Sequence, residues 1–179
     1  MKNNKWIWLG LDCVWVILLL AFDQYTKLLA VKQLKDQAPI VIWKNVFQLE
    51  YLENRGSAFG LFQNQKIFLL AVGFLFMGFV FYLLVKLPTK RRFLALHVLL
   101  GCLMAGGIGN MIDRFVQGYV VDFFYFILIR FPIFNVADIY IVVAAFTIAF
   151  LFFFVYRDEE MDFWMIRSEN SGKDPKEKV

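Results

Sequence analysis

Apolar residues fall into four long runs, at 6–22, 67–85, 93–111 and 133–156, separated by stretches in which polar and charged positions return. A helix that crosses a bilayer needs roughly 17–25 predominantly apolar residues. Each run therefore predicts one membrane span, the first close to the short limit and the last long enough to cross with tilt. Between the first two runs, about 38–60, the pattern changes. Ile40-Val41-Ile42-Trp43, Val46-Phe47-Gln48-Leu49 and Tyr51-Leu52 read as short strands with Lys44-Asn45 as a turn, after Ala38-Pro39 has ended any extension of the first helix. Residues 115–132 hold a second apolar stretch, too short to span, and predict a loop lying in the interface or covering the mouth of the bundle.

The fold class expected is thus an all-α integral membrane protein: four transmembrane helices in one domain over 1–156, a small extracytoplasmic β-sheet between helices 1 and 2, an extracytoplasmic loop between helices 3 and 4, and a charged cytoplasmic tail at 157–179. Within the tail, Phe163-Trp164-Met165-Ile166 has the character of a segment that touches the inner membrane surface.

Composition sharpens this picture. Of 179 residues 60% are hydrophobic, 22 are Phe, and the mean hydropathy is +0.60; soluble domains carry about 45–50% apolar residues. The net charge of +4 does not indicate nucleic acid, because the basic residues cluster beside the apolar runs, where they set topology and meet anionic headgroups. Lys86, Lys90, Arg91 and Arg92 crowd the short link between runs two and three and place it inside, together with the Lys2/Lys5 end and the tail. The amino-terminal run has the flavour of a signal peptide but no A-x-A-like site follows it, so an uncleaved first helix is expected. Cys13 and Cys102 have no Cys or His neighbours in sequence and are expected as small buried hydrophobes, neither disulfide nor zinc ligands.

The candidate chemistry lies in polar residues set into apolar surroundings, where ionisable groups are costly and usually functional. One histidine, His97, cannot assemble a metalloprotease ligand set. Ser57, in Gly-Ser-Ala-Phe-Gly, has no base within reach of the chain pattern, and there is no phosphate-binding glycine loop. His97 itself is expected to be a bundle or interface residue, and Asp12 has no assigned role. Carboxylates remain. Asp138 is expected about 7–8 Å into the fourth helix, counted at ~1.5 Å per residue from Ile133, with Asn135 on the same face. Asp122 sits on the loop that returns to that surface. Two aspartates in a low-dielectric pocket share a proton, the state an aspartic peptidase uses. The same two residues could equally be separate ion partners of Arg114 and Arg130, and Asn110, Asp113 and Arg114, at i, i+3 and i+4, could simply cap the third helix.

The segments Asp23-Gln-Tyr-Thr-Lys27, Glu53-Asn54-Arg55-Gly56-Ser57-Ala58-Phe59-Gly60, Gly109-Asn110-Met-Ile-Asp113-Arg114, Val121-Asp122-Phe123 and Phe134-Asn135-Val136-Ala137-Asp138 together resemble the bacterial lipoprotein signal peptidases, or signal peptidase II, in order and over almost the whole chain. The resemblance implies an intramembrane aspartic endopeptidase of the bacterial cytoplasmic membrane. Its members cleave diacylglyceryl-modified prolipoproteins just before the lipidated cysteine, need neither metal nor cofactor, and are inhibited by the cyclic peptide globomycin. It implies Asp122 and Asp138 as the catalytic dyad and Asn54, Asn110, Arg114 and Asn135 as substrate-binding residues. Asp23, Lys27, Gly109, Asp113 and Ala137 would support the site, Asp113 by positioning Arg114 or nearby backbone. Both termini would be cytoplasmic and the site near the outer face, beside a platform of Trp43, Phe47 and Phe59, with apolar faces of helices two to four taking the lipid. Two other classes fit a small membrane protein with buried acids. A proton-coupled transporter or channel subunit would spread its acids along a path, whereas here they gather at one face apart from Asp12. An assembly factor would tolerate loss of both aspartates.

Overall fold

The computed structural model describes residues 5–56, 62, 65–157 and 160. Its first helix, α1, runs from Lys5 to Leu34, well past the predicted end at residue 22. Asp23 and Lys27 do not stop it, because both turn inward and are neutralised there, so the helix continues as a buried-faced extension. At ~1.5 Å per residue α1 is about 45 Å long, against a hydrocarbon core of about 30 Å. A turn closed by the Gln37 N–H on the Leu34 carbonyl ends it, one residue before Ala38-Pro39.

Strand β1 (Ile40–Trp43) and strand β2 (Phe47–Asn54) form a hairpin. Asn45 holds the turn with φ 61°, a left-handed conformation that Asn tolerates better than most residues. The three short strands expected over 38–60 are thus two, since Phe47 to Asn54 is continuous. The third strand comes from elsewhere. Val120–Phe126, predicted as a covering loop, is strand β3 and pairs antiparallel with β2 in a sheet of order β1-β2-β3. Its pattern of Val, Phe and Tyr is strand-forming, but only the exposed edge of β2 shows why it extends. The register sets Leu52 opposite Asp122 and Asn54 opposite Val120, which makes Asn54 and Asp122 diagonal neighbours.

Helices α2 (Lys66–Lys86) and α3 (Leu94–Val116) are joined through the basic link and a short 3-10 turn at Arg91–Phe93. The fourth helix, α4, spans Val136–Phe154. All four helices are long and apolar enough to cross a membrane. Their outward faces carry exposed Leu, Ile, Val and Phe such as Leu18, Phe79 and Phe146, which lipid rather than water would satisfy. Cys13 lies on such an exposed face, contrary to the buried position expected of it.

Helix α3 is the axis of the bundle and packs against α1, α2 and α4. Small residues permit this. A Cβ at Gly106 would fall 2.5 Å from the Ala137 carbonyl, and one at Gly109 would fall 2.5 Å from Asp23 Oδ2, so helices approach here more closely than any side chain allows. Two apolar clusters result. One, near the basic link, gathers Val80, Leu84, Phe93, Leu96 and Leu100. The other joins the far end of α1 (Ala30, Leu34) to β3 (Val121, Phe123) and Val136, and thereby seats the sheet on the bundle.

Candidate active site

Where the sheet meets the bundle, α1, α3, β3 and the start of α4 converge on a set of buried polar side chains. Helix α4 begins later than predicted. Asn135 is its N-cap, with its side-chain oxygen accepting from the Asp138 N–H at 3.1 Å, while Asp138 Oδ2 accepts from the Asn135 N–H at 3.1 Å. This reciprocal capping box satisfies two of the donors that every helix start leaves open. It also moves Asp138 from the expected depth to the first turn of α4, at the level of the sheet.

Asn135 is fully buried, and its NH2 group donates to Asp122 Oδ1 at 2.6 Å and to Asn110 Oδ1 at 3.1 Å. Asn110 in turn donates from Nδ2 to Asp138 Oδ1 at 2.8 Å. Asn54 donates to Asp122 Oδ2 at 2.8 Å, as the sheet register permits. Each oxygen of both carboxylates therefore accepts one hydrogen bond, and a short chain of Asn amides ties the two aspartates together. Asp122 is only 1% exposed. Its burial first, and the neighbouring Asp138 carboxylate second, push its carboxyl up to about 7, against the opposing pull of the Asn54 and Asn135 hydrogen bonds and the Lys27 charge. Among the described residues no ion pair joins either aspartate to Arg114 or Arg130, so the reading of two separate ion partners does not hold.

Behind this pair lies a charged layer. Lys27 Nζ, 3% exposed, sits 3.0 Å from Asp23 Oδ2, 3.0 Å from Asp113 Oδ2 and 3.0 Å from Asn110 Oδ1. Asp23 Oδ1 accepts from the Ala137 N–H at 3.0 Å, locking α1 to the start of α4. Asp113 Oδ2 accepts from the Val121 N–H at 3.2 Å, so this aspartate positions the backbone beside Asp122. Gln24, which sequence reasoning passed over, donates to Asp113 Oδ1 at 3.1 Å and to Asp23 Oδ2 at 3.2 Å. Its only sequence signal was its place inside the Asp23-to-Lys27 segment. Arg114 does not cap α3 alone. It donates to the Asn110 carbonyl and, at 2.9 Å, to the Gly56 carbonyl at the end of the β2 segment.

These residues form one end of a cavity of about 820 Å³, within the usual range for ligand sites. Asn54, Asn110, Arg114, Asp122 and Asp138 all reach its wall, and Phe134, Ile139, Val142 and Val143 give it an apolar side. That side comes from α4 and the segment before it; among the described residues α2, expected to contribute, does not line it. Trp43 is exposed on the edge strand, and Phe47 packs on Phe124 and Phe126; Ser57 and Phe59, like the rest of 57–60, and Phe163 to Ile166 lie outside the described residues. No group of three or more His, Cys, Asp or Glu side chains suited to a metal ion occurs among the described residues.

Asp12 and His97 meet elsewhere, near the basic link, with Asp12 Oδ2 2.8 Å from His97 Nδ1 and the Trp8 ring against the imidazole. His97 is the buried bundle residue expected, and Asp12 has a partner after all.

Residues 15–154 match the family model described as signal peptidase (SPase) II. The lipoprotein signal peptidase of Clostridium tetani is 36% identical over 152 residues, covering 83% of this chain and 94% of that protein. That of Caldanaerobacter subterraneus is 41% identical over 133 residues, covering 74% and 88%. A solved bacterial membrane enzyme superposes with a TM-score of 0.71 at 25% identity, over 80% of this chain and 88% of its own.

Proposed function

The chain belongs to the signal peptidase II family of bacterial membrane aspartic peptidases, and from that premise we propose that it removes the signal peptide from diacylglyceryl-modified prolipoproteins, cleaving just before the lipidated cysteine, with Asp122 and Asp138 as the catalytic pair. The observation that carries this reading is the amide chain of Asn110 and Asn135, which links the two carboxylates at one end of the cavity.

In the proposed reaction Asp122, more deeply buried and shifted upward, holds the proton of the pair. Asp138 draws a proton from the attacking water as its oxygen adds to the scissile carbonyl. Asp122 donates to the carbonyl oxygen; the resulting gem-diol then collapses as Asp138 passes the water's proton to the peptide nitrogen, which leaves as the amine, and one hydroxyl proton returns to Asp122. Asn54 and Arg114, on the cavity wall, are suited to holding the extended substrate backbone. The apolar side made by Ile139, Val142 and Val143 is suited to the acyl chains, which keep the scissile bond near the membrane surface. The basic link at Lys86–Arg92 supports a topology with that end of the bundle and both termini in the cytoplasm and the site near the extracytoplasmic face. The reaction needs no metal or cofactor, and globomycin is expected to occupy the same cavity.

The test is a gel-shift cleavage assay of purified protein on a diacylglyceryl-modified prolipoprotein, with Asp122→Asn and Asp138→Asn beside the parent and folding checked by thermal melts. The parent should cleave and globomycin should stop it, while both folded variants lose at least about three orders of magnitude, as for loss of a catalytic group acting in a unit. A variant that keeps parental activity removes its residue from the dyad. A folded parent that never cleaves overturns the substrate assignment.

A further inference from the structure

A buried ammonium needs neutralising charge, and Lys27 has it in Asp23 and Asp113. Two carboxylates would complete a structural ion pair. The third acceptor is neutral, and it is the side-chain oxygen of Asn110 at 3.0 Å. An ammonium carries three donors and no acceptor, so it can face only the oxygen of an amide. That choice leaves the Asn110 NH2 pointing the other way, onto Asp138 Oδ1 at 2.8 Å. The Asn135 NH2 also reaches Asn110 Oδ1, at 3.1 Å, but the same group serves Asp122 at 2.6 Å and carries no charge. Lys27 itself is absent from the cavity wall, so it does not touch substrate.

We infer that Lys27 is a positioning residue for the proposed reaction: its ammonium sets the orientation of the Asn110 amide, and through it delivers a hydrogen-bond donor to Asp138. The inference rests on the Asp122/Asp138 reading. Without Lys27, Asn110 is free to turn its oxygen toward Asp138, an arrangement that favours a protonated carboxyl over an ionised one. The field of the ammonium acts in the same sense, since the Lys27 charge opposes the upward shift of Asp122. The other charged groups around the pair are Asp23 on α1, Glu53 on β2, Asp113 and Arg114 on α3, and Arg130 after β3. Removal of Lys27 alone leaves Asp23 and Asp113 uncompensated, which pushes the pair the same way.

The experiment is the pH dependence of kcat and KM for prolipoprotein cleavage by the parent, Lys27→Met, Lys27→Arg and the double variant Lys27→Met/Asp113→Asn. The double variant keeps the net charge of the buried layer and an acceptor for the Val121 N–H, so it guards against misfolding of the single one. In Lys27→Met the whole kcat profile should move to higher pH by about one unit, within the range for loss of a nearby opposite charge. At the optimum kcat should fall about tenfold, with KM nearly unchanged. The double variant should shift in the same direction by less, and Lys27→Arg, which keeps the charge, should stay closest to the parental profile. A folded Lys27→Met or Lys27→Met/Asp113→Asn protein whose profile superposes on the parent's, at whatever absolute rate, overturns the inference and leaves Lys27 a structural ion. A parent that does not cleave, or dyad variants that do, would instead strike the reaction assignment, which keeps the two failures apart.

Discussion

Among the described residues, two buried clusters of ionisable side chains lie on the same pair of helices, and they differ in kind. Near the basic link, Asp12 of α1 meets His97 of α3, both almost fully enclosed, and His97 Nε2 has no hydrogen-bond partner among the described residues. Eleven residues along α1, roughly 16 Å at ~1.5 Å per residue, Asp23 and Lys27 meet Asn110 and Asp113 of α3. The first cluster is closed: two side chains and a tryptophan ring, with no residue on the wall of the large cavity. The second is open. It passes through Asn110 and Asn135 to Asp122 and Asp138, and from there to the cavity. Burial of charge is common to both, so burial alone does not make a site. What separates them is that the second cluster ends on carboxylates that line the cavity.

Substitutions in the two clusters should separate them most sharply by rate. Asp122→Asn or Asp138→Asn should abolish cleavage, whereas Asp12→Asn and His97→Gln should remain within about threefold of the parent, since no group they touch reaches the cavity. Equal losses from both clusters would erase the distinction. A smaller effect is expected from Gly109→Ala. Its methyl group would press on Asp23 Oδ2 at 2.5 Å and disturb the anchor on the Ala137 N–H, so initial rates should fall roughly tenfold to a hundredfold, as displacements of about 1 Å in a site can, with a lowered Tm.

Dependence on pH offers a finer test. The Asp122 carboxyl lies near 7 in the folded protein and at an ordinary 3.8 when free of its surroundings. A raised carboxyl binds its proton more tightly folded than unfolded, so its ionisation cost is present above about pH 7 and is relieved as pH falls toward 4. Cleavage should therefore decline as pH rises through about 7. The parent should melt at higher temperature at pH 5.5 than at pH 8.5, and Asp122→Asn should flatten that difference. A melt of Asp122→Asn as pH-dependent as the parent's would assign the effect elsewhere. The smallest change is expected at the closed cluster. Asp12→Leu should cost about 1–3 kcal/mol by stranding His97 Nδ1, and Asp12→Leu/His97→Leu should recover much of that, because removing both partners leaves nothing unsatisfied. Thermal melts in one detergent would read both.

Much of this was legible in the chain, and its limits are physical. The four apolar runs determine four spans, because length and apolar content answer directly to bilayer thickness. The acids and asparagines set into apolar surroundings mark the site, since a polar group buried among hydrophobes must be satisfied or functional. The short motifs around Asp23, Asn54, Asn110, Asp122 and Asn135 name the family. Tertiary structure decided how those residues meet. Strand β3 reads as a covering loop until the edge of β2 is there to pair with it, and only their register sets Asn54 diagonal to Asp122. The start of α4 shifts by three residues because the capping box of Asn135 and Asp138, a local bond pattern, outweighs the apolar signal of Ile133 and Phe134. The extension of α1 past Asp23 and the pairing of Asp12 with His97 both depend on partners more than eighty residues away. Apolar periodicity reports what each segment buries; it does not report which distant side chain will neutralise a charge, because that is decided by helix packing around glycines such as Gly106 and Gly109.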